Sequence, residues 1–277
     1  MEIIKIKNTN ELEKIKIKFN TKTEIHYTSD NFTYCFLLRL RRFTNKLLVL
    51  SNGAIDPKRS KPPVYMRSKW SDDFDASQVF LDDPTIHKDK LRIGWGQGAE
   101  EEFVLEVYSE IIKTLTKRLK IEGKDVYYYG SSAGGFMSML LSSMHNDSNV
   151  IVNNPQTDVI KYVESASKPL IELVYGNIDY AYGRYAHRLD VIEAFKYYGY
   201  TPNILYIQNR LCSPDMKKHY FPYMQKYSKN NLDMERTSTL FYHNKKAGHA
   251  PLGREETVKL INSKMDVQRT IKNAFFK

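Results

Sequence analysis

Short apolar runs alternate with amphipathic stretches along most of this chain. The apolar runs predict buried strands at residues 46–50, 125–129, 149–153, 203–208 and 239–243. Apolar side chains at helical spacing predict helices over residues 98–121, 135–144 and 255–276. Strands that alternate with helices indicate an α/β fold with a mostly parallel sheet and helices on both of its faces.

Two segments depart from this alternation of strands and helices. Residues 1–45 indicate an N-terminal β region, with strands predicted over Glu13–Phe19 and Phe32–Leu40. Residues 157–200 form a helical, tyrosine-rich insert between two predicted strands, where folds of this kind often carry a lid. No linker, repeat or low-complexity tract divides the chain, so we expect one domain over residues 1–277.

Charge and composition narrow the classes of partner. With 42 Lys and Arg against 32 Asp and Glu, the net charge is +10. This excess fits a lysine-rich proteome, an anionic substrate or cofactor, or an anionic membrane surface. No RNP, zinc-knuckle or helix-turn-helix signature supports nucleic acid as a partner.

The sequence also bears on the compartment. No apolar run approaches the roughly 18 residues of a membrane span, and the first residues lack the apolar region of a signal peptide. With only two cysteines, a disulfide framework is not expected. We therefore expect a cytoplasmic protein, with peripheral association at the inner face of a membrane as a further option. The oligomeric state is left open.

The most informative motif is Gly130-x-Ser132-x-Gly134. A strand-like run precedes it and a helix-like run follows, which is the context of a nucleophile elbow. The glycines suit a strained turn with no room for a Cβ beside the serine. The alternative is a serine in a tight strand-to-helix turn without chemistry. Ser132 is the candidate nucleophile.

A serine hydroxyl needs a base to become a nucleophile at neutral pH. Among seven histidines, His249 follows the last predicted strand, and this is where the base of such a site lies. Gly248 lets that loop reach the serine. An exposed loop histidine is the alternative, while His243 is expected within the last strand.

The base in turn needs an acid that fixes its tautomer. Asp215 is the first carboxylate after the penultimate predicted strand, and it is the candidate acid. Its alternative role is the N-cap of a helix that starts at Met216. Asp158 and Asp190, both in the insert, are the fallback acids.

Acyl transfer also needs donors for a developing oxyanion. The backbone N–H of Ala133 is one candidate, and the N–H groups of Gly53 and Ala54, after the strand at 46–50, are others. Basic and aromatic residues crowd the next loop, where they would contact substrate or form a solvated face. The candidates are Lys58, Arg59, Arg67 and Trp70. No metal-ligand spacing is present, and no bound cofactor is expected.

The run Gly130–Gly135 with the later Val150–Gln156 resembles the serine O-acetyltransferases of bacterial capsule and surface-glycan loci, such as those of the meningococcal serogroup A type. The resemblance spans roughly residues 45–255. It implies an α/β-hydrolase fold, with Ser132, Asp215 and His249 as the catalytic triad. It also implies acetyl-CoA as cosubstrate and a sugar hydroxyl of a polysaccharide or oligosaccharide as acceptor, which the basic charge suggests is anionic.

Three hypotheses therefore stand. The first is an O-acetyltransferase that forms an acyl-serine intermediate and passes the acetyl group to a glycan. The second is a carboxylic-ester hydrolase acting on an acylated glycan, with the same triad and water as the final acceptor. The third is a non-catalytic glycan-binding protein that kept the fold, which would need a broken triad.

Overall fold

The structure is a computed structural model that describes residues 2–87 and 91–275. One sheet runs through it with strand order β1-β2-β3-β5-β4-β6-β7-β8-β9. The strands are β1 (Glu2–Ile6), β2 (Lys22–Thr28), β3 (Thr33–Arg39), β4 (Leu47–Leu50), β5 (Ser77–Leu81), β6 (Val126–Ser132), β7 (Asn149–Pro155), β8 (Asn203–Asn209) and β9 (Thr237–Tyr242). Strands β4 to β9 pair in parallel, whereas β3 pairs antiparallel to both β2 and β5.

Eight α-helices accompany the sheet in the described residues, besides short 3-10 turns. They are α1 (Val104–Leu119), α2 (Ala133–Ser143), α3 (Glu164–Tyr175), α4 (Ile178–Leu189), α5 (Val191–Tyr198), the single turn α6 (Ser213–Asp215), α7 (Phe221–Lys229) and α8 (Arg254–Phe275). Helices α3, α4 and α5 make up the predicted insert, and a π-helix (Met216–Tyr220) joins α6 to α7.

The central strands are buried on both faces because helices cover both sides. Along β4, Leu47 and Val49 join the larger apolar cluster, while Leu48 and Leu50 join the smaller one. Helices α1, α2 and α5 contribute to the larger cluster, and α8 contributes Ile261 to the smaller. This two-sided burial explains why the strands read as continuous apolar runs in the sequence.

The N-terminal prediction is wrong in one segment. The alternating stretch Glu13–Phe19 forms no strand apart from an isolated bridge between Phe19 and Leu40. The guanidinium of Arg118 donates 2.5 Å hydrogen bonds to the carbonyl oxygens of Leu12 and Ile15, so these carbonyls have partners outside any sheet. Strand β2 lies within the β region predicted over residues 1–45, although it was not delimited there, and β5 was not predicted from the sequence.

The long helix predicted over residues 98–121 begins later, at Val104. Gly98 has φ +69°, a left-handed conformation that a helix cannot contain. Glu102 lies before the start of the helix, and its carboxylate accepts hydrogen bonds from the hydroxyls of Tyr34 and Ser29. These tertiary contacts override the apolar periodicity of the segment.

Candidate active site

Ser132 lies where β6 passes into α2, with φ 54° and ψ −126°. This conformation is rare for a residue with a side chain, and such strain is typical of functional turns. A Cβ on Gly130 would lie 2.0 Å from the carbonyl oxygen of Gly134, and one on Gly134 would lie 2.7 Å from that of Asn52. Both positions therefore require glycine, and the tight turn leaves the Ser132 side chain half-buried at the edge of the sheet.

Three residues far apart in the chain meet at this edge. The Nε2 atom of His249 lies 2.8 Å from Oγ of Ser132. The two carboxylate oxygens of Asp215 lie 2.9 and 2.8 Å from Nδ1 of the same ring. An ionised carboxylate only accepts, so Nδ1 carries the proton and Nε2 accepts the hydrogen bond from the serine hydroxyl.

The loop that carries His249 is held by buried amides at the ends of neighbouring strands. The side chain of Asn154 donates to the carbonyl oxygens of His249 and Ala250, each at 3.1 Å. Asn209 donates to the carbonyl oxygen of Gly248 at 2.9 Å. Gly248 itself has φ +53°. These contacts fix the path of the loop, and therefore the position of the imidazole.

Asp215 belongs to the turn α6 and precedes the π-helix. Its side chain caps neither element, so the N-cap alternative does not apply. Its side chain is only 6% exposed, whereas that of His249 is 34% exposed. The fallback acids Asp158 and Asp190 form ion pairs with Lys226 instead of pairing with His249.

A second imidazole lies behind the triad. Nδ1 of His219 accepts a hydrogen bond from the backbone N–H of Thr157, and burial lowers the pKa of His219 to about 4. The ring of Tyr162 packs near both His219 and His249, with centroids 6.3 and 6.2 Å away. A neutral His219 and an aromatic ring thus form an uncharged wall beside the catalytic candidates.

Four of the other histidines have partners of their own. His26 pairs with Glu24, His87 with Asp82, His145 with Tyr128, and His187 stacks on Tyr197. His243 is exposed and follows β9, so its predicted place inside the last strand is wrong. The strand ends one residue earlier, at Tyr242.

The oxyanion candidates lie beside the serine. Ala133 is the first residue of α2, so its backbone N–H is among the N-terminal donors that a helix leaves unbonded. Gly53 is close to the elbow, since a Cβ on it would lie 3.6 Å from the carbonyl oxygen of Ser131. The N–H of Gly53 already donates to Sδ of Met66 at 3.2 Å, and Ala54 is exposed.

The basic loop divides into two parts. Lys58 and Arg59 lie in an exposed turn, where Arg59 pairs with Asp56 at 3.4 Å. Arg67 instead lies next to the elbow and donates to Oγ of Ser131 at 2.6 Å.

The guanidinium of Arg67 is also held by aromatic rings. Its carbon lies 5.7 Å from the ring of Trp70 and 5.0 Å from that of Tyr129. Arg67 has φ 65°, outside the conformations that most side chains favour. No carboxylate among the described side chains lies within ion-pair distance of it, so the charge is oriented without being neutralised.

One polar residue at the site was not predicted from the sequence. Gln156 is fully buried, and its Nε2 donates to Oγ of Ser132 at 3.0 Å. Its Oε1 accepts a 2.5 Å hydrogen bond from Nε1 of Trp95, which is also fully buried. Gln156 ends the run Val150–Gln156 that carries the family resemblance, but no role was predicted for it from the sequence.

Within residues 2–87 and 91–275, no cluster of three or more His, Cys, Asp or Glu side chains has the arrangement of a metal site. None of the helices described combines the length and the apolar character needed to cross a bilayer.

Comparison with solved structures decides the fold. A capsule O-acetyltransferase of Neisseria meningitidis serogroup A superimposes with a TM-score of 0.60 over 86% of this chain and 93% of its own, at 18% identity. The chain has an α/β-hydrolase fold. Carboxyl esterase 2 of Tuber melanosporum covers 96% of this chain and 90% of its own, with a TM-score of 0.57 and 13% identity.

A third neighbour of this α/β-hydrolase-fold protein is the fluorophosphonate-binding serine hydrolase F of Staphylococcus aureus. Its TM-score is 0.57 at 12% identity, over 90% of this chain and 98% of its own. A mutant of the meningococcal enzyme was solved in complex with CoA. The sequence itself matches no protein-family model and no curated protein.

Proposed function

We propose that this protein is a serine O-acyltransferase that moves an acetyl group from acetyl-CoA to a hydroxyl of a bacterial capsular or surface polysaccharide. The observation that carries the proposal is the contact of Ser132 Oγ with His249 Nε2 at 2.8 Å, with Asp215 on the opposite ring nitrogen. This arrangement makes a serine hydroxyl nucleophilic. The proposed place of action is the cytoplasm, where acetyl-CoA is made.

In the first half of the reaction, His249 takes the hydroxyl proton as Ser132 Oγ attacks the thioester carbonyl carbon. The carbonyl electron pair moves to the oxygen, where Ala133 N–H and a donor near Gly53 stabilise it. The carbon–sulfur bond then breaks as the electron pair returns. The CoA sulfur takes the proton from His249, which leaves acetyl-Ser132 and free CoA.

In the second half, the acceptor hydroxyl gives its proton to His249 and attacks the acetyl carbon. The intermediate collapses with cleavage of the bond to Ser132 Oγ, which recovers the proton. Asp215 keeps the Nδ1 proton in place and stabilises the imidazolium in both halves. The products are an O-acetylated glycan and the original enzyme.

Acetyl-CoA as donor is supported by the CoA complex of the meningococcal neighbour. An anionic acceptor is supported by Arg67, whose charge has no carboxylate partner among the described side chains and lies beside the elbow. A planar guanidinium held between aromatic rings is suited to a carboxylate or phosphate group on the glycan. Trp70 then contributes by holding Arg67.

The second candidate function is hydrolysis of an acylated glycan. It is favoured by the 34% exposure of the His249 side chain, which gives water access to the base, and by the esterase among the structural neighbours. Transferase and esterase differ in what reaches the acyl-enzyme after the first half-reaction.

One assay distinguishes the transferase from the esterase. The enzyme is incubated with acetyl-CoA and an anionic or a neutral oligosaccharide, and free CoA thiol and O-acetylated glycan are both measured. The transferase proposal expects CoA release that rises with glycan and equals glycan acetylation, and no release from Ser132→Ala. Rapid release of free acetate that is indifferent to glycan would contradict it.

A further inference from the structure

The amide of Gln156 is attached to the elbow through both its backbone and its side chain. Its backbone N–H donates to the carbonyl oxygen of Ser132 at 3.1 Å, and its Nε2 donates to Oγ of the same residue at 3.0 Å. The side chain is fully buried, so water does not compete for these groups. A neutral amide donor therefore contacts the atom that the proposed reaction makes nucleophilic.

Trp95 fixes which end of that amide faces the serine. An indole N–H only donates, and it lies 2.5 Å from Oε1 of Gln156. A flipped amide would direct its NH₂ group against this donor, so the NH₂ group must face Ser132. Trp95 has φ 50°, an unfavourable backbone conformation for a large residue, and its ring packs edge-on against Tyr162 at 5.9 Å.

We propose that Gln156 is a catalytic hydrogen-bond donor to Oγ of Ser132, and that Trp95 is the positioning residue that keeps its NH₂ group directed at that atom. The inference rests on the proposed role of Ser132 as nucleophile. It adds a side-chain donor to the backbone donors expected for this fold.

The hydrogen bonds of the Ser132 hydroxyl explain what the Gln156 donor does. The hydroxyl proton goes to His249, one lone pair accepts from Gln156, and the other lone pair is left for attack on the acyl carbon. Negative charge develops on Oγ as its proton leaves, and again when Oγ departs from the acyl-enzyme. A fixed N–H in a water-free position stabilises this charge without reorganisation.

A purely structural role is the alternative, in which Gln156 only links Trp95 to the elbow. Gln156→Glu, assayed over a pH range that ionises the introduced carboxyl, separates the two roles, because an ionised carboxylate keeps the shape and still accepts from the indole N–H but cannot donate. Gln156→Met removes both functions. Gln208→Met is the matched control, since Gln208 is also a fully buried glutamine at the end of a neighbouring strand and bonds to the carbonyl oxygen of Asn209.

The experiment is stopped-flow acylation with 4-nitrophenyl acetate, in which the burst of nitrophenolate gives the acylation rate constant. The melting temperature of each variant is measured in parallel. Gln156→Met and Gln156→Glu are expected to slow acylation about 10²-fold, with little change in substrate affinity. Gln208→Met should acylate at close to the wild-type rate.

Trp95→Phe tests the positioning role. It removes the indole N–H and leaves the Gln156 amide free to turn, so a smaller loss of acylation rate is expected. Added to Gln156→Met, it should cause little further loss, because Trp95 acts through an amide that is already absent. If Trp95 had only a structural role, the double variant would lose the product of the two single-variant losses in acylation rate.

The outcomes are distinct. If the wild type gives a burst and Gln156→Glu is acylated at the wild-type rate, the inference is overturned and the proposed function stands. If Gln156→Met fails to fold, Gln156→Glu and Trp95→Phe decide between the same alternatives. If the wild type gives no burst and Ser132 takes no fluorophosphonate label, the proposed nucleophile fails, and the role of Gln156 with it.

Discussion

The imidazole Nε2 of His249 lies 2.8 Å from Oγ of Ser132, although 117 positions separate the two residues in the chain. The sheet brings them together. Strands β6 and β9 belong to one parallel array, so the segments that follow them leave the sheet at the same edge. The local sequence around each residue determines only its own turn, and the meeting of the two residues depends on the order of the strands.

Replacement of the acid tests the geometry of the triad. Asp215→Asn keeps the shape but offers an amide that cannot hold the Nδ1 proton as a carboxylate does, so we expect kcat to fall by about 10³- to 10⁴-fold. The measurement is steady-state hydrolysis of 4-nitrophenyl acetate. The control is Asp190→Asn, since Asp190 caps α5 and pairs with Lys226. Full activity in Asp215→Asn, or an equal loss in the control, would refute the assignment.

The strained elbow predicts a sharp contrast between two glycines. Gly130→Ala would place a Cβ 2.0 Å from the carbonyl oxygen of Gly134, so it should destabilise the protein by about 3 kcal/mol or prevent folding. Gly183→Ala, in the exposed part of α4, meets no atom within 4 Å and should stabilise the protein by about 0.5–1 kcal/mol. Urea unfolding measures both. Equal stability of the two variants would show that the turn is not strained as described.

Arg67, which has no carboxylate partner among the described side chains, predicts a charge-selective defect. Arg67→Gln should raise the KM for an anionic glycan acceptor by about 10-fold or more, because a hydrogen bond to a charged group is lost. The KM for a neutral acceptor should change little. Arg42→Gln removes the same charge at an exposed site beside Phe19 and serves as control. If both acceptors lose affinity equally, Arg67 supports the loop and does not select the substrate.

Buried histidine predicts how stability responds to acid. Nδ1 of His145 accepts from the Tyr128 hydroxyl at 2.9 Å, and burial lowers the pKa of His145 from 6.5 to about 4. Below pH 6.5 the unfolded chain binds a proton that the folded protein does not, so the stability present above pH 6.5 is lost as the pH falls toward 4. The loss amounts to about 2 kcal/mol at pH 5.

The matching measurement is urea unfolding at pH 7.5 and at pH 5. His145→Gln has no proton to gain at this position, so its free energy of unfolding should fall by less between the two pH values than that of the wild type. His219 contributes a loss of the same sign, but it is present in both proteins and cancels. An identical pH dependence in wild type and variant would contradict the prediction.

The parts of the site that local patterns determine were predictable. The glycines around Ser132 and the place of Asp215 and His249 after the last two strands could be read from the sequence, because strand ends and tight turns have local signals. The central strands were predicted for the same reason, as their burial on both faces produces continuous apolar runs.

What could not be predicted depends on contacts between distant segments. In place of the strand expected over Glu13–Phe19, the carbonyls of Leu12 and Ile15 accept hydrogen bonds from Arg118, which lies 106 and 103 positions away. The hydrogen bond between Trp95 and Gln156 joins residues 61 positions apart, so no local signal reveals which way the amide points. Asn154 and Asn209 hold the histidine loop in the same long-range manner.

The most direct test of the central claim is mass spectrometry of the protein after brief incubation with acetyl-CoA and rapid acid quenching. The account predicts one added acetyl group on the peptide that contains Ser132, none in Ser132→Ala, and loss of the adduct when a glycan acceptor is added. Two results would contradict the claim that this serine carries the acyl group. One is an unacetylated Ser132 peptide in a reaction that acetylates the glycan, and the other is an equal adduct in Ser132→Ala.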